Sequence, residues 1–164
     1  MQLLDPTALW FLPFALPIGL WVAFSDLKTM RIPNKSVYAL VAVFAVVGLA
    51  VLPLEIWAWR WAHLLVILIM GFVLNMAGVI GAGDAKFAAA MAPFVALSDV
   101  MMALMLLSLI LIAALLTHRI LRRIPAMRRI APDWASWEAR DFPMGLALGP
   151  TLVAYLAISG WAGA

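Results

Sequence analysis

Apolar stretches about as long as a bilayer is thick recur six times along this chain, separated by short polar connections. A hydrocarbon core takes roughly 20 apolar residues per helix. On that ruler the segments cover about Thr7 to Ser25, Ser36 to Leu54, Trp61 to Gly81, Ala85 to Leu97, Val100 to His118 and Pro143 to Trp161. The fourth is short and holds Pro93. With 67% hydrophobic and 12% charged residues, the chain lacks the charge needed to cover a water-facing surface. In lipid every backbone polar group must be satisfied internally, and no strand alternation is visible, so the segments are helices. The expected fold is all-α: a polytopic membrane protein of about six transmembrane helices, with residues 1–164 forming one integral membrane domain.

Cysteine is absent, which excludes disulfides, thiolate metal sites and cysteine nucleophiles. Two histidines, His63 and His118, are too few for a histidine-rich metal site, so neither metal nor cofactor is expected. The net charge of +3 is no sign of nucleic acid, because the basic residues flank apolar segments. The start, Met1 to Pro6, has Asp5 and no Lys or Arg, so the first segment reads as a permanent helix, not a cleaved signal.

Basic residues also orient the chain. Lys28, Arg31, Lys35, Lys86, Arg119, Arg122, Arg123, Arg128, Arg129 and Arg140 fall on one side of a six-helix arrangement. Arg60, with Asp5, Glu55 and Asp99, falls on the other. The positive-inside rule puts the first group in the cytoplasm and both termini outside. The connection from Arg119 to Phe142 alternates arginines with Ile, Leu, Met and Trp. It reads as a topology-fixing basic loop, an interfacial segment with arginines at anionic headgroups, or a substrate-facing element. Most of the eight tryptophans mark the two interfaces, and Met101, Met102 and Met105 are packing residues. Asn75 either bonds a neighbouring helix or lines a cavity.

Two acids lie at the cytoplasmic ends of apolar segments: Asp26, closing the first, and Asp84, between the third and fourth. A pair of carboxylates sharing a proton can activate water against an amide. Gly81 and Gly83 break the helix before Asp84 and admit a peptide strand. Pro33 and Asn34 make a turn after Asp26. On the residues alone, a helix-end charge, an aspartyl hydrolase and a proton-coupled transporter all fit.

Together, Asp26-Leu-Lys-Thr-Met-Arg-Ile32-Pro33-Asn34 and Gly81-Ala-Gly83-Asp84-Ala-Lys86 resemble the paired motifs of the type IV prepilin peptidases, GxGD membrane aspartyl proteases. A third stretch, Asp141 to Pro150, looks like the element opening that family's last helix, with Met144 where an aromatic is common. The resemblance implies that Asp26 and Asp84 are catalytic, with Ile32, Pro33, Asn34, Gly81, Gly83 and Lys86 in support and Pro143 and Gly145 at the substrate cleft. It implies a cofactor-free endopeptidase in the cytoplasmic membrane of a prokaryote. Its substrate would be a prepilin, with leader and N-terminal hydrophobic helix, cut on the cytoplasmic side. The small size looks like the short form of tight-adherence or Flp-type systems. Without a cysteine-bearing domain, N-methyltransferase activity is not expected. An inactive structural subunit of a pilus machine is the other reading. The presenilin-like proteases fit less well: their first Asp follows a Tyr within a helix, whereas Asp26 follows Ser25 and is read in a loop.

Overall fold

A computed structural model describes residues 6–161, so Asp5 lies outside the described residues. Among these the chain is helical throughout, with no strand. The α-helices are α1 (Leu12–Thr29), α2 (Asn34–Val51), α3 (Leu54–Met76), α4 (Ala82–Met91), α5 (Val100–Leu121), α6 (Pro125–Ile130) and α7 (Gly145–Trp161). Short 3-10 turns precede α1, lie between α4 and α5, and sit between α6 and α7. Each of the six apolar segments has its helix; the short α6 falls in the basic connection. Asn34–Val51, Leu54–Met76 and Leu97–Leu121 are long and apolar enough to cross a membrane. The protein is an all-α polytopic membrane protein.

Several boundaries differ from the sequence expectation. The first helix starts later and runs four residues further, to Thr29, so Asp26 lies in its last full turn and not in a loop. The helix stops at Met30, whose left-handed backbone (φ 54°) turns the chain while its N–H still reaches the Asp26 carbonyl. The third helix begins seven residues early, because Pro53 caps its start and the Trp-rich stretch that follows is a good amphiphilic first turn. Arg60 is therefore inside α3, not beyond its end. The break between α3 and α4 comes at Gly78, the one glycine with positive φ (73°) among the described residues. Gly81 caps α4, and Gly83 lies within it.

α1 and α7 pack antiparallel as the central pair. Their backbones touch at Gly19 and Gly149, where a Cβ on Gly149 would collide with the Gly19 carbonyl oxygen. A second close approach joins α3 to α4: a Cβ on Gly71 would come 2.9 Å from that of Ala85. Small residues let membrane helices approach closely, where dispersion drives association. The core fills between these pairs. Phe11, Phe44 and Phe94 are buried and meet edge-on or stacked, with Phe11 and Phe94 centroids 5.1 Å apart. By contrast 6% of the apolar window of α3 and none of that of α5 is buried, so both lay their sides open to the bilayer.

Not all tryptophans are belt residues. Trp57 and Trp61 pack against the core, and Trp57 Nε1 donates to the Phe44 carbonyl. Trp137 is buried. Of the methionines, Met102 packs against the core while Met101 and Met105 are exposed on the lipid-facing side. Asp99, placed by the sequence in an outer connection, is buried and accepts a hydrogen bond from Tyr155 Oη at 3.0 Å.

Candidate active site

Asp26 and Asp84 reach one cavity by different routes. Asp26 sits on the last full turn of α1, directed by the antiparallel contact with α7. Asp84 sits in the first turn of α4, set by the Gly71–Ala85 contact with α3. Both line a cavity of about 850 Å³, together with Ile32, Asn34, Gly81, Gly83 and Lys86. The two carboxylates are close enough for the charge of one to act on the other. A backbone amide holds each. The Gly145 N–H donates to Asp26 Oδ2 at 2.7 Å, and the Gly81 N–H serves Asp84. Donors of this kind fix a carboxylate in one orientation without adding a charge to the site.

The glycines owe their place to crowding. A Cβ on Gly81 would come 2.6 Å from Asp84 Oδ2. On Gly145 it would come 2.9 Å from the Asp26 Cβ and 3.0 Å from the Val22 carbonyl oxygen. Gly83 lies against Ile32, with 3.4 Å between an added Cβ and the Ile32 Cβ. That contact joins the two motifs across the cavity.

Pro33 caps α2 in an extended conformation, with no side-chain hydrogen bond of its own, and its carbonyl accepts from Ser36 Oγ at 2.7 Å. Asn34 opens α2 and accepts from Lys86 Nζ at 3.5 Å. Lys86 is thus tied to the Asn34 amide across the cavity mouth, two residues along from Asp84. Asn75 neither bonds another helix nor lines this cavity: its Nδ2 donates to the Ile80 carbonyl at 2.8 Å, stapling the α3–α4 turn that delivers Gly81 and Asp84.

The third stretch behaves differently from the other two. Pro143 is buried and off the cavity wall, while Asp141, Phe142 and Met144 line it. Gly145 acts through its backbone, as the donor to Asp26. Sequence reasoning did not find that role, since nothing local in "DFPMGLALGP" points to residue 26. The only signal available was a glycine at the start of a helix, where backbone N–H groups are free. Among the described residues no three His, Cys, Asp or Glu side chains gather as a metal-ligand set.

A cavity lined by two carboxylates close enough to feel each other's charge can carry acid–base chemistry on a hydrolytic water. Comparison with known proteins agrees in kind. Neither a curated protein nor a solved structure matches the chain. The model of the type IV leader peptidase family matches residues 13–117, a stretch that contains both aspartates. That is well over half of the sequence, and the chain belongs to the type IV leader peptidase family.

Proposed function

We propose that this peptidase is an aspartyl endopeptidase that removes the leader from type IV or Flp-type prepilins at the cytoplasmic face of the membrane. The observation that carries this reading is the shared cavity, which Asp26 and Asp84 both line, each held by a backbone amide. One carboxylate, ionised, takes a proton from water as the water oxygen attacks the scissile carbonyl carbon. The other, protonated, donates to the carbonyl oxygen. When the C–N bond of the tetrahedral adduct breaks, the proton held by the first carboxylate passes to the departing amine, and the second carboxylate takes back a proton from the diol hydroxyl as the product carboxyl forms. The substrate's hydrophobic helix stays in the bilayer beside the enzyme, which leaves its leader at the depth of the pair.

The basic residues support a cytoplasmic site. Arg31 and Lys86 line the cavity, and Phe24, just ahead of Asp26, meets Trp134 of the arginine-rich connection with ring centroids 5.8 Å apart. The carboxylates and the arginine-rich connection therefore share one end of the bundle, the end that the positive-inside rule assigns to the cytoplasm. The same rule puts both chain ends outside, and membership of the leader peptidase family supports a prokaryotic inner membrane. A second feature supports peptidase action without N-methylation: only residues 30–33 join α1 to α2, which leaves no room there for a further domain.

Co-expression with candidate prepilins tests the reading. The pilin mass should fall by that of its leader, with no added methyl group. Intact precursor in every pairing, or a product heavier by one methyl, would contradict it.

A further inference from the structure

A second cavity, of about 810 Å³, opens at the end of α5. Five arginines line it: Arg119, Arg122 and Arg123 from α5 and the turn after it, Arg128 from α6, and Arg140 from the segment leading to α7. Glu138 is the one acid on its wall, and it is already paired with Arg128. Arg119, Arg123 and Arg140 have no carboxylate partner among the described residues.

The walls are held in place before any ligand arrives. Arg122 Nη1 donates to the Ala139 carbonyl at 3.1 Å, and Trp137 Nε1 donates to the Ala131 carbonyl at 2.8 Å. The buried Trp137 ring stacks on His118 at 5.4 Å and on Trp134 at 5.4 Å. Like charges gathered in a fixed pocket repel one another, and an anion removes that repulsion. Guanidinium groups suit phosphate oxygens in particular, which they can grip with two parallel N–H donors.

The surroundings say which kind of phosphate. Leu109, Ile112, Leu116 and Ile120 are each more than half exposed and recur at helical spacing along one face of α5. That apolar stripe is open to the bilayer, and its last member, Ile120, lies between Arg119 and Arg122 of the pocket wall in the chain. Ile124 and Ile130 are exposed beside it. An apolar track ending at a cationic pocket matches an amphiphile. We propose that this pocket binds the phosphate of an anionic lipid, with an acyl chain lying along the α5 stripe. The site is separate from the carboxylate cavity, with which it shares no lining residue.

Native mass spectrometry of the full-length protein in neutral detergent tests the site, using equal amounts of phosphatidylglycerol and phosphatidylcholine. The wild type should retain phosphatidylglycerol at least tenfold over phosphatidylcholine. The triple variant Arg119→Gln/Arg123→Gln/Arg140→Gln should lose that preference. Glu138→Gln, which releases Arg128 from its partner and removes the one negative charge, should strengthen it several-fold and does not depend on the triple variant folding. Equal retention of the two lipids by the wild type would overturn the proposal. So would a preference that neither set of substitutions changes. Protection against heat by inorganic pyrophosphate equal to that by phosphatidylglycerol would also overturn it, by assigning the pocket to a soluble anion.

Discussion

The Gly145 amide and the Asp26 carboxylate meet at 2.7 Å although they stand 119 positions apart in the chain. The contact is buried, and it exists because α1 and α7 run antiparallel with Gly19 against Gly149. A catalytic carboxylate must not wander, and a backbone donor at the start of a helix restrains it without bringing a competing side chain. The fold therefore reaches the chemistry through backbone packing: two glycine contacts, α1 to α7 and α3 to α4, each aim one aspartate.

Gly145→Ala should be costly for this reason. The added methyl would press on the Asp26 Cβ at 2.9 Å and on the Val22 carbonyl oxygen at 3.0 Å, and backbone cannot yield as a side chain can. Overpacking of this kind costs typically about 1–3 kcal/mol. Thermal unfolding in detergent should show the loss, and cleavage by the protein that remains folded should fall as well, because Asp26 is displaced. Stability and activity both equal to the wild type would remove Gly145 from the site.

The far end of the bundle makes a contrasting prediction. Tyr155 Oη donates to Asp99 Oδ2 at 3.0 Å and accepts from the Ala96 N–H at 3.1 Å. Tyr155→Phe strips partners from a buried carboxylate and a backbone amide, at a cost of about 1–3 kcal/mol. It should lower the unfolding temperature yet leave cleavage per folded molecule unchanged. Asp99→Asn belongs to the same network and is no neutral control; Glu55, exposed in the first turn of α3, is the better choice. Impaired cleavage in Tyr155→Phe at full stability would tie this network to catalysis.

Much of this was legible in the sequence, for physical reasons. Long apolar runs can only be helices in lipid, so the helix inventory follows from hydropathy. Asp26 and Asp84 stand out because charge beside apolar segments is rare and costly. What was not legible depends on contacts between distant segments. The Gly145 donor, the burial of Asp99 beneath Tyr155 and the stacking of Trp137 on His118 leave no local spacing to read. Helix ends were misplaced where a proline cap starts a helix early in a Trp-rich stretch holding Glu55 and Arg60, as at Pro53, or where a charged turn remains helical, as at Asp26 to Thr29.

Sidedness can be read by labelling, since the chain has no cysteine of its own. Trp59 and Leu97 are over two-thirds exposed at one end of the bundle, and Arg129 is exposed at the other. A cysteine at 129 should react only with reagent that reaches the cytoplasm, and cysteines at 59 and 97 with impermeant reagent added outside. The reverse pattern would place the carboxylate cavity on the outer face and contradict the proposed site of cleavage.

The pH profile should be a bell. Hydrolysis needs one proton on the pair, so activity falls on the acid side as both carboxylates become protonated and on the alkaline side as both ionise. The two limbs belong to the pair and not to either residue. Lys86→Met removes a positive charge from the cavity wall, which disfavours ionisation there. The profile should move to higher pH, with a smaller change in its maximum. A profile that rises to a plateau, or one that Lys86→Met shifts to lower pH, would contradict a proton shared in this cavity.

The most direct measurement is single-turnover cleavage of a purified prepilin by the wild type, Asp26→Asn, Asp84→Asn and the double variant, with Glu55→Gln as control. Asparagine keeps size and polarity but cannot cycle a proton. Each single variant should lose at least about 100-fold in rate while staying folded, in line with the contribution of acid–base catalysis. The double variant should be little worse than either, because the two groups act as a unit. Glu55→Gln should cut at the wild-type rate. Substantial cleavage by either single variant would contradict the account, since one carboxylate would then suffice.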